Sequence, residues 1–205
     1  MSVWVKICGV RTHRDVEAAV AAGADAIGVV MTPSVRMVDL DTAGTLVLSA
    51  PVDLLKVAVF YRPQRAHVEA VRDAVPFDLF QAEAESLDGI DGIEVLPVVH
   101  DRPDLAAAVA SATGLSGSGR VLVESAGHGG KGEAPDWARV AGLGNLDRVV
   151  VAGGLTPDTV AGVVAALRPG GVDVSSGVES APGVKDPVLM KSFVEMARSG
   201  AVEVV

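Results

Sequence analysis

Short runs of Val, Ile, Leu and Ala recur along the chain at 3–7, 26–30, 54–60, 78–81, 94–99, 120–124, 148–152 and 171–174. Most are followed by a segment whose apolar positions return every three or four residues, the period of a helix. The clearest helical patterns cover 13–22, 64–74, 103–112, 157–167 and 187–198, several opening on Asp, Thr or Pro as helix starts do. Weaker ones lie near 39–49, 86–90 and 135–142. Strand and helix in alternation predict a parallel sheet with helical crossovers, and eight such units are the number that closes a (β/α)8 TIM barrel. An open, doubly wound sheet is the alternative.

The alternation of side chains along a strand sorts each run into two faces. In the first, Val3, Val5 and Ile7 form an aliphatic face turned to the helices, which points Lys6 and Cys8 into the barrel. In the sixth, Val121 and Val123 face out while Arg120, Leu122 and Glu124 face in; in the eighth, Asp173 and Ser175 face in. Cys8 and Glu124 both close their strands at the C-terminal end, where barrels of this type carry their active sites. Packing of a small thiol, and an internal ion pair of Glu124 with Lys6 or Arg120, are the structural alternatives.

Two loops at the same end suit a phosphate. Ala152-Gly153-Gly154-Leu155 follows the seventh strand and Ser175-Ser176-Gly177-Val178 the eighth. Gly153, Gly154, Ser175, Ser176 and Gly177 are therefore phosphate-binding candidates, through backbone N–H groups brought close by glycine.

Composition narrows the partners. The chain has 205 residues, 49% hydrophobic, enough for one well-filled core, so residues 1–205 are expected to form a single domain. The glycine-rich stretches at 114–119 and 126–132 are short enough to be connections within it. Lys+Arg number 17 against Asp+Glu 26, a formal charge of -9, which argues against nucleic acid and anionic membranes as partners. A small-molecule ligand is the expectation. Cys8 is the only cysteine, so no intramolecular disulfide or cysteine-cluster zinc site is possible. His13, His67, His100 and His128 are scattered without metal-ligand spacing, so no metal is expected; His128 lies in a glycine-rich loop suited to covering a ligand. No apolar run approaches the roughly 18 residues of a membrane span, and the N-terminus lacks the order of a signal peptide. A soluble, cytoplasmic protein, monomer or homodimer, is expected.

The residues resemble the phosphoribosylanthranilate isomerase family nearly end to end. Its N-terminal pattern resembles Lys6-Ile7-Cys8-Gly9, Ala22-Gly23-Ala24-Asp25-Ala26-Ile27-Gly28 and Ser34-Val35-Arg36. Its C-terminal pattern resembles Ala152-Gly153-Gly154-Leu155-Thr156-Pro157, Gly171-Val172-Asp173-Val174-Ser175-Ser176-Gly177-Val178-Glu179 and Pro182-Gly183-Val184-Lys185-Asp186. Gly129-Gly130-Lys131-Gly132 with Asp136-Trp137 resembles the family's loop after the sixth strand.

The resemblance implies a (β/α)8 fold and an Amadori rearrangement of a phosphosugar bearing anthranilate, with Cys8 as general base and Glu124 as general acid. An acid protonates the furanose oxygen as the ring opens to a Schiff base. A base then removes the C2′ proton to give an enolamine, which tautomerises to the amino-ketose. The protonated imine is its own electron sink, so no cofactor is implied. Lys6, Arg36 and Gln81 are implied as substrate-binding: Lys6 as a cation beside the thiol, Arg36 as a fork for the anthranilate carboxylate.

Three departures from the family pattern stand out. Glu124 replaces the usual Asp. After the fourth strand, Gln81-Ala82-Glu83-Ala84 stands where the family commonly reads Gln-Leu-His-Gly. In the loop after the sixth strand, Lys131, Glu133 and Pro135 replace the more usual Thr, basic and aromatic residues. An isomerase of a related aminosugar phosphate and a catalytically silent phosphosugar-binding protein are the alternative readings.

Overall fold

The computed structural model describes residues 2–87, 89–125 and 134–201. Eight strands run in chain order around a closed barrel: β1 (Trp4–Cys8), β2 (Ala26–Val30), β3 (Leu55–Val59), β4 (Leu79–Glu83), β5 (Val95–His100), β6 (Val121–Glu124), β7 (Val149–Val151) and β8 (Gly171–Val174). Every neighbouring pair is parallel, and β1 meets β8 with Val5 opposite Val172 and Lys6 opposite Asp173. The (β/α)8 architecture expected from the alternation is the one observed.

Around it lie α1 (His13–Ala22), α2 (Leu40–Ser49), α3 (Arg65–Ala74), α4 (Ala84–Leu87), α5 (Leu105–Thr113), α6 (Trp137–Ala141), α7 (Pro157–Leu167) and α8 (Pro187–Gly200). Their starts have local causes. Thr12 and Asp15 form a capping box at α1, while Asp39, Asp136 and Asp186 accept backbone N–H bonds at α2, α6 and α8. Between β8 and α8 the chain forms a short 3-10 turn (Ser176–Val178) and an antiparallel pair, β9 (Glu179–Ala181) and β10 (Val184–Lys185), which strand alternation does not predict.

The core has two shells. Val5, Ile7, Val121, Val123, Val172 and Val174 pack outward against the helices. Inside the barrel, Trp4, Ala26, Val57, Leu79, Leu96, Leu122 and Val150 form a separate apolar plug. At its lower end the Arg120 guanidinium lies 5.2 Å from the Trp4 ring, a cation–π contact that occupies Arg120 far from Glu124. The inward and outward faces of β1, β6 and β8 are those the alternation assigns. With the lower barrel filled by this plug and closed off by Arg120, the other polar inward residues of these strands lie at the C-terminal mouth.

Candidate active site

The mouth is built from the last inward residue of several strands. On β1, Lys6 is fully buried and its Nζ donates to Asp173 Oδ1 on β8 at 2.7 Å. Burial works against the Lys6 charge, and Asp173, assisted by Cys8, outweighs it, so the ammonium is held. Lys6 therefore pairs with Asp173 rather than with Glu124. Gly28, opposite Cys8 on β2, makes room for this row: a Cβ there would lie 2.9 Å from the Cys8 sulfur and 3.1 Å from Lys6 Cε.

Cys8 is buried, and burial raises its thiol pKa above the ordinary value. Lys6 and Lys185 pull the other way, while Asp173 adds to the rise. The resting group is a thiol near neutral pH, surrounded by cations that favour its ionisation. Lys185 is one the strand pattern missed. It sits on β10, and its Nζ donates to Glu179 Oε1 at 2.8 Å and to the Ser175 carbonyl at 2.9 Å.

Glu179 joins that lysine to Arg36. Arg36 Nε and Nη2 donate to the two Glu179 oxygens at 2.7 and 2.9 Å, a bidentate fork. Burial works to raise the Glu179 pKa, but hydrogen bonds from Arg36 and Lys185 prevail and bring it down to about 2. The Arg36 stem lies over Gly9, where a Cβ would meet its Cδ at 2.7 Å. The guanidinium is thus held at the mouth next to Cys8, one edge on Glu179 and its outer edge turned from that pair.

Across the mouth the residues are acidic. Glu124 ends β6; desolvation in its recess and the charge of Asp173 raise its pKa to about 7, against the opposing pull of His100 and Lys6. Among the described residues no cation forms an ion pair with it. Glu83, inward on β4, accepts from the Arg62 N–H at 2.8 Å and lies 3.4 Å from His100 Nε2. Gln81, two residues before Glu83 on the same face, is buried with its Oε1 unpartnered. A buried amide oxygen without a donor is costly, and a bound molecule that supplies one relieves the cost.

The residues of the two candidate phosphate loops come together as well. Gly153 and Gly154 turn the chain after β7 with φ of 95° and 64°. Gly177, in the turn after β8, approaches so closely that a Cβ would lie 1.9 Å from the Leu155 carbonyl oxygen. Only glycine permits the two loops to share one rim. A cleft of about 980 Å³ opens beside the mouth, but of the site residues only Lys185 lines it. The helix starts there are already satisfied by Asp15, Asp39 and Asp186.

His128, Lys131 and Glu133 lie outside the described residues. Glu83, His100, Glu179 and Lys185 are the additions to the site to which the sequence pattern gave no role. His100 had a signal: Leu96 and Val98 are inward, so the same alternation carries His100 to the mouth. It was hidden because 95–99 is apolar on both faces. Lys185 had none in the strand pattern, since a hairpin outside the barrel delivers it.

The family model of N-(5′-phosphoribosyl)anthranilate (PRA) isomerase matches residues 5–196. The N-(5′-phosphoribosyl)anthranilate isomerase of Pseudomonas fluorescens is 39% identical over 200 residues, covering 94% of each chain. Phosphoribosyl anthranilate isomerase from Thermotoga maritima superposes with a TM-score of 0.83 at 29% identity, over 95% of this chain and 98% of that one. A phosphoribosyl anthranilate isomerase in complex with reduced 1-(o-carboxyphenylamino)-1-deoxyribulose 5-phosphate superposes with a TM-score of 0.79 at 29% identity, with the same coverage.

Proposed function

The chain belongs to the N-(5′-phosphoribosyl)anthranilate isomerase family, enzymes of tryptophan biosynthesis, and we propose that it performs the family's rearrangement with Glu124 as acid and Cys8 as base. The supporting observation is that the two stand at the mouth on β6 and β1, with burial and Asp173 raising the Glu124 pKa to about 7 so that a protonated fraction persists at neutral pH.

Neutral Glu124 gives its proton to the furanose oxygen as the C1′–O bond breaks, the bonding pair going to oxygen and leaving a protonated Schiff base. Cys8 thiolate takes the C2′ proton, and that electron pair flows into the iminium to form the enolamine. The iminium is a cation beside the sulfur, so opening the ring adds to the help that Lys6 and Lys185 give the thiolate. Arg36, braced by Glu179, offers its outer edge to the anthranilate carboxylate. Gln81 Oε1 accepts from a substrate hydroxyl or amine, and the phosphate takes backbone N–H groups of Gly153, Gly154, Ser175, Ser176 and Gly177.

The active form needs the carboxyl protonated and the thiol ionised, although the carboxyl is the stronger acid of the two. Below pH 7 the thiolate fraction grows with pH. Above it that growth is offset by loss of the protonated carboxyl. Thus kcat/KM is expected to rise up to about pH 7, level off, and fall only above the ordinary thiol range.

The test is the loss of anthranilate fluorescence when the protein meets freshly generated phosphoribosylanthranilate, with Cys8→Ser and Glu124→Gln alongside. Turnover cut by both substitutions is the expected result. Phosphosugar binding without turnover, or turnover indifferent to Cys8→Ser, overturns the assignment.

A further inference from the structure

The proposed chemistry leaves one half-buried titratable pair at the mouth, His100 with Glu83, unused. His100 ends β5 directly opposite Glu124 in the β5–β6 register, so both side chains face inward at the same level. The imidazole is clamped from both nitrogens: Nδ1 lies 3.2 Å from the Ser125 carbonyl oxygen and Nε2 lies 3.4 Å from Glu83 Oε1. Both partners are acceptors. Only the imidazolium can donate to the two at once, so this geometry selects the charged ring.

We propose that His100, clamped by Glu83 and the Ser125 carbonyl, is a positioning residue for the reaction: its imidazolium faces Glu124 across the β5–β6 ladder and offsets the desolvation of that carboxyl. The inference rests on Glu124 being the acid. An acid in a desolvated recess holds its proton too tightly and, once it has lost it, is left as an uncompensated anion. An adjacent imidazolium opposes both effects, favouring the carboxylate formed as the ring oxygen is protonated. About a quarter of its side chain is exposed (23%), so the imidazole also exchanges protons with water.

The other groups facing Glu124 define the balance. Asp173 on β8 and Glu83 on β4 disfavour its anion, Lys6 on β1 favours it, and β7, its other neighbour, contributes no ionisable side chain. Lys6 is already committed to Asp173. Among the described residues His100 is therefore the cation on this side of the mouth whose charge can respond to Glu124, and its own pKa is raised first by Glu83, with Ser125 and Glu124 adding to it against burial.

The experiment titrates Glu124 in the resting protein by its carboxyl infrared band, assigned by subtracting the Glu124→Gln spectrum, and compares this with the pH profile of kcat/KM. In His100→Asn the Glu124 midpoint is expected to rise by about half a pH unit or more, carrying the end of the rising limb with it. KM should change less than about twofold, since a positioning role acts on the acid rather than on binding. Glu83→Gln should shift the midpoint less, because it removes both the clamp on His100 and a negative charge facing Glu124. If the Asn variant does not fold, His100→Gln, which retains a donor, carries the same expectation. An unmoved Glu124 midpoint in a folded His100 variant overturns the proposal. A midpoint that moves while the kinetic limb stays still leaves the coupling intact and removes Glu124 as the acid.

Discussion

Glu124 and Glu179 are the same residue type on opposite sides of one barrel mouth, and their proton affinities are driven apart from about 7 to about 2. Burial pushes both upward. The difference lies in what surrounds them. On the β1–β8 side each carboxylate has a lysine or arginine within 2.9 Å: Asp173 has Lys6, and Glu179 has Arg36 and Lys185. On the β4–β6 side Glu83 and Glu124 share one histidine. One half of the mouth is locked in charged pairs around Cys8 and Arg36, the proposed base and carboxylate-binding fork. Among the described residues the other half has no lysine or arginine paired with Glu124, whose pKa is raised to about 7, as suits the proposed proton donor.

The strongest way to break this contrast is to remove the proposed proton donor itself. Glu124→Gln should lower kcat about 10²–10⁴-fold with the fold intact, measured by the fluorescence assay and circular dichroism. Glu124→Asp, which restores the family's usual residue on a backbone fitted to glutamate, should cost up to about 100-fold in kcat, because a displacement near 1 Å is enough to misplace the proton.

Glu179→Gln attacks the locked half. It strips the shared anion from two cations, Arg36 and Lys185, and should destabilise the fold by about 3 kcal/mol in urea denaturation, with KM rising as Arg36 loses its brace.

Stability against pH should separate the two glutamates by sign. The folded pKa of Glu179 is depressed to about 2, so its contribution is fully present above the ordinary carboxylate pKa and is lost as pH falls toward 2. For Glu124 the folded pKa is raised to about 7; between the ordinary carboxylate value and 7 the native state binds more protons than the unfolded one, and stability declines as pH rises. Urea midpoints across pH should show both slopes in wild type. The first should shrink in Glu179→Gln, leaving the part due to Glu83, Asp39 and Asp101, and the second should shrink in Glu124→Gln, leaving the part due to His100.

The smallest effect should come from Lys6→Met, read as the pH dependence of Cys8 alkylation. Losing the ammonium while leaving Asp173 unneutralised should move the thiol titration further up. Coincident profiles would remove Lys6 as a contributor to the thiolate.

Much of this mouth was legible from a two-residue period. Because strand faces alternate and the outer face of the barrel is aliphatic, the pattern alone put Lys6, Cys8, Glu124, Asp173 and Ser175 on one inward face at one end. The glycine pairs after the seventh and eighth strands pointed to the same rim. Family likeness supplied Arg36 and Gln81.

What the sequence determined by itself was local: which residues face in, where helices start, and that eight alternating units close a barrel. Pairing was decided only by the tertiary structure. Lys6 could have met Glu124, but closure of the barrel sets β1 beside β8 and gives it to Asp173, 167 positions away. A hairpin outside the strand repeat brings Lys185 to Glu179, and cross-strand register, rather than any motif, sets His100 opposite Glu124. The physical reason is that a carboxylate's proton affinity depends on charges and water within a few ångströms. Those neighbours come from chain segments whose separation in sequence carries no trace of their distance in space.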